Sequence, residues 1–128
     1  MTRMEPAILD ATSEVADWDG AKQVLMEAFA LSQAAARDEQ PVVYVVHGDD
    51  LLGRRGAPSA MVATGLLSAA RTAAIELSRQ GTPVNVVAVG DATDRETLQR
   101  WISHLSEPGG PTGEVVRLDP GHLGKALP

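Results

Sequence analysis

The sequence predicts an α/β domain of three layers, in which a parallel sheet of about four strands is wrapped by helical crossovers. Two observations carry this. Strand-like and helix-like segments alternate along the chain, and the strand-like ones are nearly continuous in apolar residues, as strands buried on both faces must be. A third, the length of 128 residues, suits one domain spanning 1–128 with one core.

The elements follow in order. Pro6 to Thr12 (PAILDAT) is a short apolar run that fits a buried strand. The next segment, from Ala21 to Glu39, repeats apolar residues at Ala21, Val24, Leu25, Ala28, Leu31 and Ala35, which is helical spacing, and Asp19 is the expected N-cap. Val42 to Val46 (VVYVV) follows Pro41 and is the strongest strand, closed by a loop of His47, Gly48, Asp49 and Asp50. After a turn-rich loop from Gly53 to Pro58, a second long helix runs from Ala60 to Gln80 and stops at Gly81, a residue suited to the left-handed cap. Pro83 to Gly90 reads as a third strand, Asp94 to Leu105 as a helix with Leu98, Trp101, Ile102 and Leu105 on one face, and Glu114 to Leu118 as a last short strand beyond a loop at Gly109.

Composition narrows the function. Net charge is -6, and the aromatic residues are two Trp, one Tyr and one Phe, so neither a phosphate backbone nor stacked bases find a matching surface. Without cysteine there are no disulfides, thiolate metal sites or thiol nucleophiles. No run approaches the ~18 apolar residues of a membrane span. The start MTRMEPAILD lacks an apolar segment behind a basic one, and a cytoplasmic location is the expectation.

The string GLLSAARTAAIELSRQGTPVNVVAVG resembles the short-chain dehydrogenase/reductase family, whose active-site helix ends in Arg-x-x-Ala-x-Glu-Leu and leads into Val-Asn-x-Val-x-Pro-Gly. The matching residues are Arg71, Ala74, Glu76 and Leu77, then Val84, Asn85, Val87 and Gly90, with Val89 in place of the proline. Thr112, Gly113 and Asp119 fit the family's final Thr-Gly-x-x-x-x-x-Asp-Gly-Gly strand, and Phe29, Leu31, Ser32, Gln33 and Ala34 are similar to its Phe-x-Leu-Thr-Gln-Ala helix. The resemblance covers nearly the whole chain and corresponds to the C-terminal half of such an enzyme, a partial Rossmann-like fold.

Counting back from Glu76 and Leu77 places each catalytic position that the resemblance implies. The acid-base Tyr falls at Ser59, the Lys that tunes it and holds the nicotinamide ribose at Ala63, the helix Asn at Val24, and the strand Ser at Val46 or His47. A serine hydroxyl is no acid near neutral pH, and Ala63 carries no cation to make it one. No Gly-x-Gly-x-x-Gly turn occurs in the sequence, and the glycines around Gly109 lie in the wrong context to cradle a pyrophosphate. The expectation is no catalytic residue, no cofactor and no metal.

Other candidates have bland readings. His47, His104 and His122 are far apart and lack a carboxylate at metal-site spacing. His47 is an acid-base candidate by type, but no neighbouring nucleophile gives it a role, so it reads as a polar loop residue. Asp49 and Asp50 read as solvated loop charges, and Gly53, Arg54, Arg55 and Gly56 as a charged turn rather than an anion site.

Ala57 to Ala70 carries no charge, so that part of the helix cannot present an ordinary solvated face and should be covered on more than one side. In the family the two corresponding helices pack against their mates in a neighbouring subunit as a four-helix bundle, and the last strand with its helix forms a second interface. The resemblance therefore implies an association surface at Val24, Ala28, Leu31, Ala35, Met61, Leu66, Ala69, Ala70 and Ala73. The partner expected is a full-length, NAD(P)-dependent enzyme of the family, of ketoreductase type. The alternatives are a homodimer with a binding or regulatory role, or a subunit that lends its tail, Gly121 to Pro128, to a partner's active site. Ile8 marks a strand edge that needs cover.

Overall fold

A computed structural model describes residues 5–119. Four strands, β1 (Ala7–Ala11), β2 (Val42–His47), β3 (Val84–Val89) and β4 (Val115–Arg117), form one sheet in that order. Every pairing is parallel, with Leu9 beside Tyr44, Tyr44 beside Val86, and Val87 beside Val116. The crossovers carry α1 (Trp18–Arg37), the single-turn α2 (Gly48–Leu51), α3 (Ala57–Glu76) and α4 (Arg95–His104).

Every residue of β2 and β3 is buried, which explains why these strands read as unbroken apolar runs rather than alternating ones. Their side chains divide between two cores. Tyr44, Val46, Val86 and Ala88 pack beneath α1 and α3, whereas Val43, Val45, Val87 and Val89 pack against Ile102 and Leu105 of α4. The helices thus lie on both faces, giving the three layers expected. This arrangement has a topological consequence. The chain steps across the sheet in one direction throughout, yet α4 crosses on the opposite face from α1 and α3, so the β3-α4-β4 crossover has the opposite hand to the first two. Because right-handed crossovers prevail overwhelmingly, the third is the exception.

Local signals set the element ends, with some corrections. Asp17, not Asp19, caps α1, accepting a hydrogen bond from Gly20 N at 2.8 Å. Trp18, Asp19 and Gly20 already wind into the helix, which leaves Asp19 as the favourable acidic residue of the first turn. Asp17→Ala is expected to cost about 1 kcal/mol of unfolding free energy, measurable by urea denaturation. α3 begins at Ala57 with Pro58 in its first turn, where proline loses nothing by lacking an N–H. The helix ends at Glu76, and Gly81 (φ 71°) closes a short 3-10 turn, Ser78–Gln80, instead of α3 itself. On α4 the buried face holds Ile102 with Leu98 and Leu105 packed beside it, while Trp101 turns outward, edge-on to His104.

The Thr-Gly and Asn residues of the resembling motifs tie the last strand to the sheet. Thr112 Oγ1 accepts from Val84 N at 3.0 Å, and Gly113 N donates to Val84 O at 2.8 Å. Gly113 adopts φ 74°, and a Cβ there would sit 3.3 Å from Ala74 Cβ, so glycine meets both the backbone and the space requirement. On the far side β1 is an edge, with Ile8 exposed, as expected.

Candidate functional site

The carboxyl ends of the strands are where an open parallel sheet usually holds a ligand, and there the structure reassigns several residues. His47 is the last residue of β2 and is buried; it is no loop residue. Its Nδ1 accepts from Asp49 N at 3.1 Å, capping α2, which places the ring proton on Nε2, 2.9 Å from Asp91 Oδ1. With both nitrogens engaged, the ring has no lone pair free for a substrate. The bond also holds the exposed Asp91 carboxyl below its ordinary pKa.

Asp50 is not a solvated charge either, being only 2% exposed. Arg55 grips it with two hydrogen bonds of 2.8 Å, Nε to Oδ1 and Nη2 to Oδ2, and donates from Nη2 to Thr12 O at 2.6 Å. The hydrogen bond to Asp50 raises the Arg55 pKa further above its ordinary value. The segment from Gly53 to Gly56 is therefore not a free charged turn but a strap linking α2 to the end of β1. Asp49 faces the other way, 3.4 Å from exposed Arg54, a contact of little energetic weight.

The positions matched to the family's catalytic groups fall inside the chain. Ser59 is 1% exposed and its Oγ accepts from Val15 N at 2.7 Å, so the segment leading into α1 lies directly on it. Ala63 and Val46 are buried in the core beneath α1 and α3, and Val24 packs against that core. A nicotinamide cofactor does not fit these residues: where the family's Lys would grip the ribose, Ala63 offers no donor, and Ser59 is already bonded to the backbone. Among the described residues no three His, Asp or Glu side chains gather around a possible metal position. His122 and the tail from Gly121 to Pro128 lie outside the described residues.

The other feature is the outer face of α1 and α3. Of the nine residues expected at an association surface, Ala28, Ala35, Leu66 and Ala70 are buried within this chain's own core. Val24, Leu31 and Ala73 are partly covered by it, and Met61 and Ala69 are exposed. The sequence reading missed the large residues beside them. In α1 the buried stripe is Ala21, Ala28 and Ala35, whereas Trp18, Met26 and Phe29 are exposed. α3 adds Met61 and Ile75. An apolar hollow of about 400 Å³ lies between the helices, flanked by Phe29, Gly65 and Ala69 and floored by Tyr44, whose hydroxyl is hydrogen-bonded to Ser32. A second, of about 430 Å³, lies toward the start of α1 among Trp18, Met26 and Met61, and the two share Leu25 and Phe29.

The fold and this geometry define a partial Rossmann-like α/β domain, and comparison with solved structures makes the class more specific. Similar structures include ElxO with NADP bound (TM-score 0.56, 15% identity, 81% of this chain and 54% of that one). A structure from Bacillus thuringiensis assigned as a 3-oxoacyl-reductase gives TM-score 0.58 and 19% identity over 80% of this chain and 52% of that one. An oxidoreductase of the short-chain dehydrogenase/reductase family from Burkholderia thailandensis gives TM-score 0.59 and 17% identity over 92% and 64%. The chain thus has, in part, the short-chain dehydrogenase/reductase fold, and it spans between 52% and 64% of the length of these structures. No family model and no curated protein matches the sequence. No helix among the described residues is long and apolar enough to cross a membrane.

Proposed function

We propose that this chain is a non-catalytic subunit of short-chain dehydrogenase/reductase type that docks, through α1 and α3, on a full-length active enzyme of that family and stabilises or shapes it. The observation that carries the reading is the inverted size pattern of α1. A helix that served only its own core would turn its large apolar residues inward, yet here only alanines are fully buried, Val24, Leu25 and Leu31 are half-buried beside them, and Trp18, Met26 and Phe29 face out. Large apolar groups gathered on one exposed face are the mark of a protein interaction surface. The buried Ser59 and Ala63 support the non-catalytic part. Reduction in such a complex belongs to the partner, with its own nicotinamide cofactor.

Co-expression with a full-length ketoreductase of the same organism tests the proposal. A stable complex is expected, and Phe29→Glu is expected to break it by burying a charge at the contact; no complex with any such enzyme rejects the reading. Titration of the purified chain with NADPH in a calorimeter is expected to give no binding heat, and micromolar binding would return catalysis to this chain.

A further inference from the structure

We propose that the hollow between α1 and α3 is a binding site for a small organic cation, an amine with an apolar body. The inference concerns the isolated chain and does not need the enzyme partner proposed above.

The hollow sits at the starts of β2 and β3, the end of the sheet opposite to the one where a parallel α/β domain usually holds its ligand. Its floor is Val42, Tyr44 and Val84, all of them core residues with almost no exposure, so the gap passes through the helix layer down to the sheet. Small residues keep it open, Ala36 on α1 with Gly65, Ala69 and Ala73 on α3. At Gly65 an added Cβ would meet only Leu25 Cδ2, at 3.8 Å. Protein interiors are otherwise packed as densely as organic crystals, and an apolar hollow left unfilled forfeits contacts for the atoms that line it. Its volume of about 400 Å³ falls in the range of small-molecule sites.

Two observations set the chemistry of the occupant. The interior is apolar except for the hydroxyls of Ser32 and Tyr44, and these are hydrogen-bonded to each other, so the body of the ligand needs no polar group there. At the mouth stand Gln33 and Glu76, and Glu76 is the one charged residue among the described residues that line the hollow. It is exposed and has no ion pair among the described residues. It also lies in the last turn of α3, where the helix dipole favours a cation instead. The last turn of α1 reaches the same hollow through Ala36, so the negative ends of two helices border it together with the carboxylate. Arg37 and Arg79 are exposed and do not line it. A carboxylate or phosphate ligand meets only repulsion there, whereas an ammonium group beside Glu76 supplies the positive charge that the end of α3 lacks.

A matched series tests this by NMR titration of the purified chain: phenylbutylamine, phenylbutanol and phenylpentanoate, which share one apolar body. The amine is expected to bind with a dissociation constant below about 1 mM, which a fragment of this size allows. It should shift the amides of the lining residues on α1 and α3 and leave those of α4 in place. Binding is expected to be about tenfold tighter than for the acid, because attraction to Glu76 becomes repulsion, and tighter than for the alcohol. Glu76→Gln is expected to bring amine and alcohol to equal affinity, and Ala69→Phe, at an exposed position, to fill the hollow and abolish binding of all three. Should Ala69→Phe fail to fold, Glu76→Gln on the surface keeps the test decisive. No binding by the amine overturns the inference, as does an acid or an alcohol that binds as tightly, or amine binding that survives in a folded Ala69→Phe. Capture of the full-length enzyme is a separate readout: a chain that binds the amine and captures no enzyme keeps this inference and rejects the proposed function, and the converse result does the reverse.

Discussion

Replacing Arg55 with Met is expected to cost about 3–5 kcal/mol of stability, the usual penalty for removing one member of a buried ion pair. The loss comes less from the missing attraction than from what stays behind. Asp50 is fully enclosed in the fold, and both its carboxylate oxygens receive their hydrogen bonds from Arg55. Without the guanidinium a buried charge remains without its countercharge, and Thr12 O loses its donor too. The double variant Asp50→Leu/Arg55→Met removes charge and countercharge together, and such replacements are often neutral. It should recover most of the stability, so that the coupling energy from the four urea curves is large. A single Arg55→Met within about 0.5 kcal/mol of wild type, the range of ordinary surface changes, would show that the strap is not held by this pair.

That pair also shows where the sequence stops being readable. The central strands, the long helices and the parallel order were legible because unbroken apolar strands and helical spacing leave their period in the sequence. The Thr112-Gly113 and Asn85 matches proved to be structural ties. Asp50 and Arg55 lie five residues apart across a turn, outside the three- and four-residue spacings at which charges on one helix meet, so nothing in the sequence marks them as partners. His47 read as loop for a related reason: a strand's last residue and a loop's first carry the same signal until the neighbour that buries it is known. Asp91, which fixes the ring, is 44 positions away.

The α1 helix is legible on its buried side alone. The residues at helical spacing are the ones that meet the core, Ala21, Ala28 and Ala35 fully and Val24, Leu25 and Leu31 in part, while Trp18, Met26 and Phe29 sit exposed on an adjacent stripe that the period does not single out. Only the packing separates them. Likewise, the uncharged stretch of α3 announced a need for cover, but could not show that Leu66 and Ala70 meet that need internally while Met61, Gly65 and Ser68 do not.

Asn85→Val is expected to be the other strongly destabilising change, at about 3 kcal/mol, because each buried polar group left without a partner costs on the order of 1–3 kcal/mol. The Asn85 side chain is completely buried on the α4 side of β3. Its Nδ2 donates to Pro111 O at 2.8 Å and, at 3.5 Å, to Leu105 O; its Oδ1 accepts from Glu114 N at 3.0 Å. One amide thereby joins the end of α4, the loop after it and the residue before β4. β4 has only three residues, too few ladder bonds to hold itself in register, so its attachment depends on this amide together with Thr112 and Gly113. Asn85→Asp separates polarity from geometry: it keeps the acceptor for Glu114 N but turns an oxygen toward two carbonyls, and should be at least as damaging as valine. Hydrogen exchange gives a local readout. In both variants the amides of residues 115–117 are expected to lose protection before those of β2, whereas uniform loss across the sheet would mean that Asn85 supports the whole core and not the last strand.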